Sequence, residues 1–178
     1  MGIMDFLTKY WSQILVGFTI VGFVVKFVLE RRSKKMEINH SLFQQNRINT
    51  VNNFFTYYAK AELMWLQIGI YEILEHKIPA KEIDKLILPT LNDLNRTVLE
   101  LKMYFDAEDH TFFQQLAGGF GLIHGKLLNL YSDLSLSGKN IISREIDFTQ
   151  RRDEILNKNM FLIDELCLRI RKSFKSKF

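Results

Sequence analysis

The side chains with the most chemical capacity in this chain stand in one short run, Arg152-Asp153-Glu154-Ile155-Leu156-Asn157. A guanidinium can hold phosphate, but the Asn157 amide has no nitrogen that titrates near neutral pH and cannot serve as a general acid or base. The plain alternative is that Arg152, Asp153 and Asn157 are ordinary helix-surface residues. The histidines, His40, His76, His110 and His124, are widely separated. Bundle folding could bring His110 and His124 together, but neither has a second ligand at helical spacing, so no metal is expected and surface histidine is the default. The lone cysteine excludes a disulfide framework; Cys167 lies in Phe161–Leu168, a run with helical apolar spacing, and reads as a buried structural thiol. Gly118-Gly119-Phe120-Gly121 sits inside a helical pattern with no strand before it, which argues against a nucleotide cradle. No phosphate loop, His-Glu-x-x-His, nucleophile elbow or calcium loop is present. No cofactor and no enzymatic activity are therefore expected.

These residues depend on two kinds of element. From Trp11 to Leu29 an almost uninterrupted apolar run would rise about 28 Å as a helix, matching the hydrocarbon core of a bilayer. Tyr10 and Trp11 suit one headgroup layer, and Lys26 can snorkel toward the other. A secretory signal peptide is the rival reading, but the basic cluster follows the apolar run and no small-x-small cleavage site precedes that cluster. Arg31, Arg32, Lys34 and Lys35 outnumber the charges ahead of the span, so a single pass with the C-terminal side in the cytoplasm is expected. A second basic bunch, Arg169 to Lys177, closes the chain; together the two carry more positive charge than the formal net charge of +4, and the middle of the chain is close to balanced. Headgroups are the first reading for such clusters and nucleic acid the second. Within the span, Ser12, Gln13, Gly17, Thr19, Gly22 and Lys26 are the polar and small residues. They suit either self-association or a monomeric tether.

The remainder reads as helix. Only Pro79 and Pro89 interrupt it, and no strand-like alternation of useful length appears. Met36 to His76 carries one long amphipathic pattern that nothing separates from the span. A short helix from Pro79 to Leu88 and another from Pro89 to Phe105 follow. Asp109 reads as the N-cap of a helix through Leu134, whose glycines at 118, 119, 121 and 125 call for a close helix crossing or a kink. A last helix runs from about Asp147. The expected fold is all-α, with residues 1–35 forming a transmembrane helix and juxtamembrane segment, and residues 36–178 a cytoplasmic antiparallel helical bundle. Phe54, Phe55, Tyr57, Tyr58 and Trp65 are too many for one helix face and suggest a second buried surface, the alternative being that some of them simply fill the monomer core.

An arginine, a polar residue and a histidine four positions beyond it are the mark of the HEPN superfamily of helical bundles, whose active members are ribonucleases that pair the motif across a dimer. Arg152 and Asp153 match this pattern, and Asn157 stands where the histidine belongs. With its apolar N-terminus, basic cluster and overall length, the chain resembles the small membrane accessory proteins encoded beside type VI-B CRISPR RNA-guided ribonucleases. The resemblance implies a non-enzymatic auxiliary in the bacterial inner membrane. Such a protein would form a homo-oligomeric pore in the lipid bilayer and strengthen antiviral defence, functionally linked to an RNA-guided ribonuclease. A membrane-tethered ribonuclease using Arg152 and a histidine such as His124, or an adaptor docking through the basic tail, are the alternatives.

Overall fold

A computed structural model describes residues 3–75, 78–132 and 140–175; the side chains of residues 3–21 and of Lys175 lie outside the description. Among the described residues all regular structure is helical: α1 (Ile3–Gln67), α2 (Ile70–Leu74), α3 (Ala80–Leu101), α4 (Ala107–Ser132) and α5 (Ile141–Lys175). The chain divides into two units, residues 1–46 and 47–178, and α1 contributes to both.

The second unit is the bundle, and aromatic pairs set its register. Phe54 and Phe113 meet edge-on with ring centroids 4.9 Å apart, and Tyr58 meets Phe120 at 5.0 Å. Sequence numbers therefore rise together along this part of α1 and α4, so these two helices run parallel. Arg47 against Phe174 and Trp65 against Phe148 place α5 antiparallel to α1. Contacts of Gly119 with Asn159 and of Lys126 with Asp147 place it antiparallel to α4. Phe54, Tyr58 and Trp65 fill this unit's own core, and Phe55 and Tyr57 pack against it, so the aromatic excess of α1 needs no second surface.

Five local readings of the sequence change. Pro89 does not divide two helices: α3 runs through it. Proline removes one backbone bond, but Pro89 lies on the exposed side while Ile83, Ile87, Leu91, Leu94 and Val98 hold the opposite face in the core. The N-cap of α4 is Asp106, whose Oδ1 accepts the Asp109 N–H at 2.9 Å; Asp109 is a first-turn acid. Helix α5 begins at Ile141 because the Asn140 side chain accepts the Ile142 N–H at 3.1 Å. Between α1 and α2 the helix stops at Ile68-Gly69, where a Cβ on Gly69 would lie 3.3 Å from the Glu72 carboxylate. Cys167 is half-buried rather than buried.

Candidate functional site

A helix leaves its last carbonyls without internal partners, and cations near that end also complement its dipole. None of α1, α3 or α4 has a basic residue in its own last turn. Each receives one from another helix. Arg152 of α5 donates through Nη1 to the Trp65 carbonyl at 3.3 Å, near the end of α1. His110 of α4 places Nε2 2.9 Å from the Val98 carbonyl, near the end of α3. The buried Arg144 of α5 donates to the Leu130 carbonyl near the end of α4.

The site centres on Trp65, which is fully buried. Arg152 holds its carbonyl, while Arg152 Nε pairs with Asp153 Oδ1 at 2.9 Å. The indole faces the His124 ring at a centroid distance of 6.3 Å and the Phe148 ring at 6.2 Å. His124 Nε2 approaches Asp84 Oδ1 of α3 to 3.4 Å without the geometry of a hydrogen bond. A guanidinium, an imidazole and carboxylates thus gather around one buried ring. Asn157 is exposed on α5, and its offset from Arg152 amounts to about 7.5 Å along the helix axis. The Arg152 guanidinium is engaged by the Trp65 carbonyl and Asp153, and the amide of Asn157 adds no acid or base to the arrangement.

Two further buried polar groups escaped the sequence reading. Arg47 is 2% exposed, its guanidinium lies between the rings of Phe105 at 4.5 Å and Phe174 at 4.3 Å, and it donates to Ser173 Oγ at 2.6 Å. Burial pushes its pKa below the ordinary arginine value, with Asp109 acting in the opposite direction. Asn159 is equally buried and donates to the Leu116 carbonyl at 3.3 Å. Its neighbour Tyr58 is pushed up to about 12, chiefly by burial, with Asn159 pulling the other way. The Tyr58 hydroxyl nonetheless lacks a hydrogen bond of good geometry. One signal was available for the buried histidine: His110 falls in the stripe with Phe113, Ala117 and Phe120.

In the first unit, Ser12, Gln13, Gly17 and Thr19 lie outside the residues whose side chains are described. Gly22 is exposed with open space where a Cβ would stand, and Lys26 reaches Glu30 at 3.9 Å. Arg31, Arg32, Lys34 and Lys35 are exposed, and Arg31 lies over the Phe27 ring at 4.5 Å. Phe23, Val24, Val25, Phe27, Val28 and Leu29 are 46–71% exposed. Among the described residues no helix is long and apolar enough to cross a membrane; the expected span begins at Trp11, and its part through residue 21 falls outside the described side chains. Among the described residues no group of three or more His, Cys, Asp or Glu could hold a metal ion. The chain matches no protein-family model, no curated protein and no solved structure.

Proposed function

We propose that this chain is a non-enzymatic membrane effector: a single-pass inner-membrane protein with a cytoplasmic, HEPN-like helical domain that homo-oligomerises into a pore and assists an RNA-guided ribonuclease in antiviral defence. The observation that carries the membrane reading is the exposed apolar band from Phe23 to Leu29. Those residues make about two helical turns, so apolar side chains point in nearly every direction around the axis, and only Lys26 interrupts them. A helix apolar on one side matches one protein partner; a helix apolar all round matches lipid, or lipid on one side and further copies on the other. The preceding run from Trp11 extends this band to membrane-spanning length in the sequence. The exposed cluster Arg31, Arg32, Lys34 and Lys35 suits the cytoplasmic headgroup layer. A single span lines a channel only by oligomerising, which makes the assembly a requirement of the pore reading.

The non-enzymatic part rests on the motif's surroundings. Arg152 is engaged with the Trp65 carbonyl and Asp153, as a helix-terminating residue would be. Asn157 supplies no titrating group. Against this stands a second reading, a tethered ribonuclease, favoured by the meeting of Arg152 and His124 on Trp65.

The test is the oligomeric mass of the full chain in detergent by native mass spectrometry, followed by membrane-potential measurements in cells expressing it. A discrete large ring together with depolarisation supports the pore. A monomer or dimer sinks it, and RNA cleavage lost on Arg152→Ala would then establish the tethered nuclease.

A further inference from the structure

Residues 22–46 of α1 are exposed at every position except the half-buried Gln44. Two apolar faces run along this part of the helix. Leu29, Met36 and Phe43 stand on one at heptad spacing, and Met36 is 67% exposed. At about 100° per residue, Ile38 and Leu42 fall on the far side of the axis, and both are exposed. There a groove is lined by Lys34, Glu37, Ile38, Ser41 and Leu42. Lys34, Glu37, Ile38 and Ser41 are the i, i+3, i+4 and i+7 positions of one helix face, and four side chains so placed form the hole that receives a knob from a facing helix. Lys34 can lay its alkyl stem along such a hole and keep its ammonium in water.

We propose that this hole takes Met36 of a second copy of the chain lying parallel beside it, so that the Met36 face of each helix packs on the Ile38 and Leu42 face of the next. The inference rests on the single-pass membrane reading above, which gives every copy one direction and one depth. Neighbours at equal depth need no sliding, because the centre of the hole lies only about 2 Å along the axis from the level of Met36. The charges agree with this packing. The edge that carries Glu30 and Glu37 comes beside the edge of the neighbour that carries Lys26, Ser33 and His40, so carboxylates meet hydrogen-bond donors instead of one another. On the opposite edge Arg32 comes beside Arg31 of the neighbour, a like-charged pair left in water where ions screen it. Because the two faces differ and lie on opposite sides of the helix, the contact is heterologous: each copy offers a knob to one neighbour and a hole to the other, and a ring closes the series. A foreign partner would cover one face and leave the other bare.

Disulfide trapping in the full chain reads the contact. A Cys167→Ser background removes the lone native thiol. Bacterial membranes holding the Met36→Cys, Ile38→Cys double variant, oxidised with copper phenanthroline, should yield a ladder of covalent multimers on a denaturing gel run without reductant. Met36→Cys alone and Ile38→Cys alone should stay monomeric on that gel, and the two single variants co-expressed should stop at a covalent dimer. Both residues are exposed in the single copy, so neither substitution empties the bundle core. The native mass of the same variants in detergent separates the two ways of failing. Where that mass is a large ring, a double variant that gives no ladder, or a dimer trapped by Met36→Cys alone, overturns this contact and leaves the pore reading standing. A native mass of a monomer or dimer overturns both.

Discussion

Helix α4 carries four glycines within two turns, and they should respond to alanine with opposite signs. A Cβ on Gly121 would meet nothing within 4 Å, and the same holds at Gly118 and Gly125. There the substitution removes only the cost of glycine in a helix, a gain of up to about 1 kcal/mol. At Gly119 the added carbon would stand 2.9 Å from both amide atoms of Asn159 and 3.1 Å from Ile155 Cγ2. Asn159 is 2% exposed and holds the Leu116 carbonyl, so it has little room to swing away. Displacing it leaves buried polar atoms unpaired, at about 1–3 kcal/mol, and crowding in a packed seam adds about 1–3 kcal/mol. After subtracting the helix gain, Gly119→Ala should lose about 1–5 kcal/mol. For a chain of this size that lowers Tm by about 2–20 °C, whereas Gly121→Ala should raise it by up to about 2–4 °C. Thermal unfolding of the two variants followed by circular dichroism in one detergent decides the matter. If Gly119→Ala melts at or above the parent, the close approach of α4 and α5 at Asn159 is not as described.

Arg152→Ala should destabilise the bundle by about 1–2 kcal/mol, because the Trp65 carbonyl at the end of α1 loses its cationic donor; chemical denaturation of the full chain measures it. Arg144→Ala should cost at least as much, since Arg144 is buried and Leu130 would lose its donor at the end of α4; the same denaturation series compares the two. Tyr58 should titrate near pH 12 in the folded protein, visible in the ultraviolet absorbance of tyrosinate and absent in Tyr58→Phe. Its folded value lies above that of the unfolded chain. The stability it contributes is therefore complete below about pH 10 and is lost as pH rises toward 12, a loss Tyr58→Phe should not share.

The helical class was plain in the sequence because apolar residues recur at three- and four-residue steps and only two prolines intervene. Boundaries were less legible. Pro89 reads as a stop because proline removes a backbone donor, yet that loss falls on the solvent side of a helix whose other face is anchored by Ile83, Ile87 and Leu91. The glycines of α4 looked alike in sequence; only Gly119 proves to be a close approach, because that depends on Asn159 forty residues later. The candidate site was half visible. Arg152 and His124 could each be named from their chemistry, but their meeting at Trp65 follows from the parallel register of α1 and α4 and the antiparallel α5, which no local pattern encodes. Arg47 and Arg144 have no place in the sequence reading. Nothing in their immediate neighbours announces that one lies between two phenylalanine rings and the other ends a helix.

Cation-bearing side chains supplied from outside a helix make the bundle an exchange between segments of one chain. Helix α5 brings Arg152 to α1 and Arg144 to α4, so two helices encoded earlier remain unfinished until the last is made. During synthesis the N-terminal four helices would emerge from the ribosome with frayed ends and an open aromatic core. The same dependence makes the chain a natural candidate for division into two complementary pieces. A fragment ending with α4 and a separate α5 would each be incompetent alone, and co-expression would restore structure only when both are present in the same cell.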